Sequence, residues 1–355
     1  MKMVFRWFGE KHDSIPIQYV SQIPNVSGVA ATLMDKQAGE LWTADEIAAL
    51  KNSITAAGLE MEVIESVNIH DDIKLGVPSR EKYIENYKET IKNLGQAGVR
   101  VICYNFMPIF DWMRTDLWKK LDDGSETMSY DHTVMESIGE PNEMIRRFEA
   151  GSGGFSLPGW EPERLSMVKE LFRKYDGITH DDLMDHLRYF LEQIMPVCEE
   201  YNVKMAIHPD DPPWDLFGLP RVLKDRDSMQ EILTMVDNPY NGITLCTGSL
   251  GVSPDNDIPA LIREFGARIP FAHVRNFKRT ADKTFWETSH FTPDGSLDMY
   301  AIVKALHDCA PDCYIRPDHG RMIWGEMGRP GYGLYDRALG VAYINGLWES
   351  MDRQG

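Results

Sequence analysis

The chain has 355 residues, 43% hydrophobic and 26% charged, enough to bury a large core, and an α/β barrel of this length is ordinarily one domain. Its formal net charge of −18 argues against nucleic-acid binding, because that affinity comes mostly from Lys and Arg displacing counterions, although a metal and a few local arginines can still make one pocket attractive to a small anion. No run approaches the roughly 18 apolar residues of a membrane span, and Met1 leads into a strand pattern rather than a signal-peptide core, so a soluble, cytoplasmic protein is expected.

In chain order, runs rich in β-branched and aromatic residues fall around Met3 to Phe8, Gly28 to Leu33, Met61 to Ser66 and Val99 to Phe106. Further runs follow at Val203 to His208, Gly242 to Cys246, Ile269 to His273 and Cys313 to Asp318; all eight predict strands. Helical patterns lie among them. Thr43 to Ala57 opens with the capping-box sequence Thr-Ala-Asp-Glu and stops at Gly58. The others are Ser79 to Ala97, Asp181 to Tyr201, Asp227 to Val236, Ile258 to Phe265, Leu297 to Asp308 and Leu334 to Met351. Strands alternating with helices predict an α/β fold, a closed (β/α)₈ TIM barrel forming a single domain over residues 1–355.

One interruption stands out. Asp111 to Thr179 follows the fourth strand and contains Asp122-Asp-Gly-Ser, Glu140-Pro-Asn-Glu, Gly151-Ser-Gly-Gly and Leu157-Pro-Gly-Trp160. Roughly 70 residues stand there where a βα loop normally has a handful, which predicts an inserted helical cap over residues 111–179. Leaving from the end of a strand where barrels do their chemistry, it reads as a lid; the competing reading is a surface embellishment or subunit contact.

The last four strands each end in or beside a metal-ligand type: His208, Cys246, His273 and Asp318. Strand alternation puts them on the same sides as Ala206, Thr244, Phe271 and Arg316, compatible with all four facing the barrel axis. Two imidazoles, a thiolate and a carboxylate suit a borderline divalent transition metal. Cys246 is the weakest of the set, since cysteine is often a small buried hydrophobe. The five cysteines, including the Cys309-Ala-Pro-Asp-Cys313 spacing with no second pair, suggest neither a disulfide framework nor a second zinc site.

His319 directly follows Asp318 and can serve as a general acid or base. Tyr332 sits in the loop Arg329-Pro-Gly-Tyr-Gly-Leu, where a nearby cation would favour its phenolate, or where it simply packs on the rim. Arg275 and Arg316 are candidates for charges near a substrate carboxylate or the metal ligands. His70, after the third strand, can reach the mouth of the site. The remaining histidines lack strand-end placement.

The whole chain resembles mannonate dehydratase, a family of xylose-isomerase-like barrels. The resemblance runs through Phe5-Arg-Trp-Phe-Gly9, Glu65-Ser-Val, Asp72-Ile-Lys-Leu-Gly76, Asn105-Phe-Met-Pro with Asp111-Trp, and Leu157-Pro-Gly-Trp160. It continues through Ala206-Ile-His-Pro-Asp-Asp-Pro-Pro213, Cys246-Thr-Gly-Ser, His273-Val-Arg-Asn276, Arg316-Pro-Asp-His-Gly320 and Pro330-Gly-Tyr332. It implies a lyase that dehydrates D-mannonate to 2-keto-3-deoxy-D-gluconate in glucuronate breakdown. The implied cofactor is Mn²⁺, with Fe²⁺ or Co²⁺ as alternatives, held by His208, Cys246, His273 and Asp318. His319 and Tyr332 match the acid/base positions. Trp7, His70, Arg275, Asn276 and Arg316 are the expected substrate contacts, and a homo-oligomer, a dimer favoured, is the expected assembly.

The chemistry is consistent with these residue types: a proton leaves C2, alpha to a carboxylate, and the C3 hydroxyl departs as water, with a cation stabilising the charge and two side chains moving the protons. The alternatives are a metal-dependent sugar isomerase or epimerase on the same barrel, a metal-dependent endonuclease, which the acidic charge disfavours, and a non-catalytic metal-binding scaffold.

Overall fold

Eight short strands, each rich in buried aliphatic residues, close into one parallel barrel. They are β1 (Lys2–Arg6), β2 (Val26–Ala31), β3 (Glu60–Glu65) and β4 (Val101–Tyr104), then, after an insertion carrying β5 (Asp116–Lys120) and β6 (Glu126–Asp131), β7 (Lys204–Ile207), β8 (Asn241–Cys246), β9 (Phe271–Val274) and, beyond a hairpin of β10 (Phe277–Ala281) and β11 (Thr284–Glu287), β12 (Tyr314–Pro317). The structure is a computed structural model and describes residues 1–138 and 162–353. Going round the barrel the order is β1, β2, β3, β4, β7, β8, β9, β12 and back to β1. All eight strands are those expected from the sequence, with ends shifted by a residue or two.

The barrel interior is filled by Val4, Ala30, Val63, Val101, Cys103, Ala206, Phe271 and Tyr314. Because strand side chains alternate, this packed layer decides what stands above it. Two residues beyond Ala206 is His208, two beyond Phe271 is His273, and Arg316 and Asp318 follow Tyr314 at the same spacing. Thr244 is tied to the interior by its hydroxyl, which donates to Cys103 Sγ at 3.4 Å, and two residues further on is Cys246. Register makes the neighbours level: Cys246 and Arg316 both pair with His273 across their strands.

Helices cover the outside. The one at Ala44–Ala56 begins with the expected capping box, in which Thr43 and Glu46 exchange hydrogen bonds, and it buries Ile47 and Ile54. The longest, His180–Tyr201, is capped in the same way by Thr179 and Asp182, and ends where Asn202 turns into the left-handed region at φ 54°. Among the described residues no helix is long and apolar enough to cross a membrane.

The insertion carries helices as expected and, beyond expectation, two strands. Its described part opens with the β5–β6 hairpin, turning at Gly124 with φ +82°, before helices His132–Ile138 and Pro162–Tyr175. The β5–β6 hairpin joins the β10–β11 hairpin, which stands where the sequence predicts neither strand nor helix, in an antiparallel sheet of order β10-β11-β6-β5. Both hairpins are short and largely polar on their outer face. The antiparallel β6–β11 ladder holds the two together, and Tyr130 of β6 stacks on Phe285 of β11 at 5.7 Å. Residues 139–161, with the Gly151 and Leu157 motifs, lie outside the described residues.

Candidate metal centre and active site

At the C-terminal mouth of the barrel, the ligand atoms of His208, Cys246 and His273 all lie within 4.8 Å of one another. His208 Nδ1 is 2.7 Å from the Pro209 carbonyl, which only accepts, so Nδ1 carries the proton and Nε2 offers a lone pair. Burial lowers the His208 pKa, with Asp318 and Glu65 opposing, and keeps the imidazole in its neutral, ligating form. His208 Nε2 faces His273 Nδ1 at 3.1 Å.

The far side of His273 explains its own tautomer. Nε2 lies 3.4 Å from Glu65 Oε2, while Arg316, a pure donor, approaches Nδ1 at 3.4 Å. With the His273 proton on Nε2, toward Glu65, the facing nitrogens of His208 and His273 would both offer lone pairs, and a cation between them would satisfy both. Nitrogens each about 2.1 Å from a shared tetrahedral ion stand roughly 3.4 Å apart, close to what is seen. Cys246 Sγ accepts hydrogen bonds from the Ser249 backbone N–H at 3.3 Å and hydroxyl at 3.0 Å, and Asp318 Oδ2 is 3.4 Å from it. Burial would raise the Asp318 carboxyl, but Arg275, Arg316 and neighbouring imidazoles hold it well below the usual carboxylate range. This donor set fits a divalent transition metal.

Beside the cluster stands a second arrangement. His319 Nε2 is 3.0 Å from the Tyr332 hydroxyl, and His319 Nδ1 lies 3.0 and 3.1 Å from the two oxygens of Glu287. Burial raises the Tyr332 phenol above its ordinary value while Arg316 pulls it down. Burial would also raise Glu287, but His319, Arg275 and Arg114 hold it at about 2, so it is a carboxylate at neutral pH. Tyr332 itself is fastened from below: the buried Arg337 guanidinium donates to the carbonyls of Tyr332, Gly333 and Arg6.

Four buried arginines and four carboxylates knit these parts together. Arg114 clamps Asp211 at 2.8 and 3.0 Å and reaches Glu287 at 2.8 Å. Arg275 joins Asp211 at 2.7 Å to Asp318 and Glu287, each at 3.2 Å. Arg316 joins Asp318 to Glu65, both at 2.8 Å, and Arg6 stands 4.0 Å from Glu65. Buried charges persist only when paired in this way, and removing one partner typically costs about 3–5 kcal/mol.

Of the residues expected from sequence, His208, Arg275, Arg316, Asp318, His319 and Tyr332 line one cavity, and Cys246 and His273 lie buried against it. Trp7, His70 and Asn276 do not line it. The Trp7 indole donates to the Ile15 carbonyl in the core. His70 caps the short helix Asp71–Lys74 and stacks on Tyr83 at 3.6 Å, beside a separate groove. Asn276 is spent on backbone, donating to Phe291 and accepting from Phe277 and Leu297. Sequence reasoning assigned no role to Glu65, Asn105, Asp111, Trp112 and Asp211, which line the cavity, or to Arg114 and Glu287 behind it. Glu65, Asn105, Asp111, Trp112 and Asp211 all lay in or beside conspicuous motifs, whereas nothing around Glu287 marked it.

Fold and site together define a class: a (β/α)₈ barrel whose rim carries a donor cluster suited to a divalent metal next to an imidazole–phenol pair. Residues 1–355 match the model of the D-mannonate dehydratase (UxuA) family. Mannonate dehydratases of Thermotoga maritima and Geobacillus thermodenitrificans are 58% and 57% identical, the alignments covering 99% and 100% of this chain and 98% and 96% of theirs. A crystal structure of mannonate dehydratase from Streptococcus suis superposes with a TM-score of 0.88 at 41% identity, over 100% of this chain and 95% of that one. A 3-keto-D-glucoside 4-epimerase from E. coli, 12% identical with a TM-score of 0.55 over 98% of this chain and 99% of that one, shares the fold alone. The chain belongs to the D-mannonate dehydratase family, and is accordingly a lyase of sugar-acid metabolism.

Proposed function

We propose that this chain converts D-mannonate to 2-keto-3-deoxy-D-gluconate with a divalent metal held by His208, Cys246, His273 and Asp318. Mn²⁺ is the expected ion, with Fe²⁺ and Co²⁺ as alternatives. The observation that carries the reading is the meeting, in one cavity of a chain of this family, of the donor cluster with the hydrogen-bonded pair His319 and Tyr332. When bound, the cation supplies positive charge where the substrate's carboxylate end becomes more negative.

The side chains do the rest. Of His319 and Tyr332, one removes the C2 proton and the other protonates the departing C3 hydroxyl; the resulting enol then ketonises. Arg275 and Arg316, fixed by their carboxylate partners, line the cavity and offer N–H donors to an aldonate carboxylate. Segment 111–179 is the proposed lid, on the support that Asp111 and Trp112 line the cavity. A cytoplasmic homo-oligomer, a dimer favoured, remains the proposed working form.

The test is purified protein with D-mannonate and Mn²⁺, with the 2-keto-3-deoxy acid detected by periodate–thiobarbiturate. Free aldoses serve as the parallel substrates. Isomerised or epimerised sugar from the aldoses, read by chromatography, with no 2-keto-3-deoxy acid from mannonate would overturn the reading in favour of an isomerase or epimerase.

A further inference from the structure

We infer that Glu287 is the positioning residue that sets the tautomer of His319, so that Nε2 is the unprotonated nitrogen and accepts a hydrogen bond from the Tyr332 hydroxyl. This rests on the proposed role of His319 and Tyr332 and adds to it a residue from outside the barrel, at the end of β11.

His319 Nδ1 has two kinds of neighbour. Both Glu287 oxygens lie close to it, at 3.0 and 3.1 Å, and the Arg275 guanidinium approaches it as well. A carboxylate only accepts and a guanidinium only donates, so the two neighbours call for opposite tautomers. Arg275 has other acceptors: Asp211 at 2.7 Å, and Asp318 and Glu287 at 3.2 Å. An unprotonated Nδ1 would instead hold its lone pair 3.0 Å from an anionic oxygen in a buried site, where such repulsion is strong. A proton on Nδ1, donated to Glu287, removes that conflict. Nε2 is then bare: the Asp318 oxygen at 3.7 Å is beyond hydrogen-bond reach, and the phenol O–H 3.0 Å away is the donor to it, which turns an oxygen lone pair of Tyr332 toward the cavity.

Glu287 is itself held rigidly. Arg114 grips it through Nε at 3.2 Å and a terminal nitrogen at 2.8 Å, and its carbonyl accepts from the Thr127 hydroxyl at 2.9 Å. A carboxylate fixed by the second sheet thus aims an imidazole that grows from the barrel, the role outer carboxylates play for ligand and catalytic histidines generally.

The deciding experiment reads the tautomer directly. Full-length protein labelled with ¹⁵N-histidine and loaded with diamagnetic Zn²⁺ is examined by long-range ¹H–¹⁵N correlation, with His319 assigned from a His319→Asn difference spectrum. The expected pattern is Nδ1–H with Nε2 bare, and a pattern of Nε2–H with Nδ1 bare overturns the inference. Glu287→Gln should bind metal normally and keep KM within about threefold while kcat falls on the order of 10- to 100-fold. Unchanged kcat in that variant also overturns it. Should the variant not fold, the wild-type spectrum alone decides. Absence of mannonate turnover by the wild type counts against the proposed reaction, whereas the tautomer seen in the spectrum still decides the role of Glu287.

Discussion

His319 Nε2 and the Tyr332 hydroxyl stand 3.0 Å apart, so the two groups assigned to proton transfer share a hydrogen bond. His319→Asn and Tyr332→Phe each remove a proton-transfer group while keeping shape, and each should retain metal and lose on the order of 10²- to 10⁴-fold in turnover. Because the pair acts as one unit, the double variant should lose little more than the worse single variant. Fully multiplicative losses would show two independent groups. Exchange of the C2 proton of mannonate with deuterated solvent assigns the roles: it persists in the variant lacking the acid and stops in the variant lacking the base.

Removing the metal should abolish activity, and Mn²⁺ should restore it. His208→Ala, His273→Ala and Asp318→Ala each delete one donor and should each lose most bound metal by elemental analysis. Cys246→Ser should weaken binding and shift metal preference, since serine replaces thiolate poorly. Normal metal content in two of the three alanine variants would dismantle the assigned site.

Gly248 lies in the short helix after β8, and a Cβ there would collide with the Arg275 side chain. Arg275 cannot yield without breaking its contacts to Asp211, Asp318 and Glu287. Gly248→Ala should therefore destabilise by about 1–3 kcal/mol, as overpacking does, and lower kcat at least tenfold. Urea unfolding and steady-state kinetics measure the two effects, and a variant with wild-type kcat would show that Arg275 has room to move.

Acid stability should report on Glu287. Its folded value of about 2 lies below the unfolded value of about 4.3, so its contribution is complete above pH ~4.3 and is lost as pH falls through that value toward 2. Asp211 and Glu65, held low by their arginines against burial, act in the same direction. Relative to wild type, Glu287→Gln should show a shallower loss of stability between pH ~4.3 and ~2 in urea titrations. Parallel slopes would mean that this carboxyl is not depressed in the folded protein.

Local patterns foretold the barrel well because the layer beneath each site residue was written in the same strand. Ala206, Thr244, Phe271 and Arg316 share faces with His208, Cys246, His273 and Asp318, and alternation carries the inference from one to the next. The capping box at Thr43 worked for the same reason, since both partners lie within four residues. What escaped was pairing over distance. Arg114 meets Asp211 and Glu287 across 97 and 173 residues, and no local periodicity encodes that meeting. Trp7, His70 and Asn276 do not line the cavity, because neither a place near a strand end nor membership of a motif says whether a side chain faces the cavity or the backbone.

The pairing of β6 with β11 makes two surface excursions of the barrel one piece of architecture. Neither can be exchanged alone: a foreign segment for residues 277–287 that does not pair would cost β6 one of its two neighbours, leave an open strand edge, and remove the anchor behind His319 at one stroke. A chimera that keeps function therefore has to carry the insertion after β4 and the hairpin after β9 together.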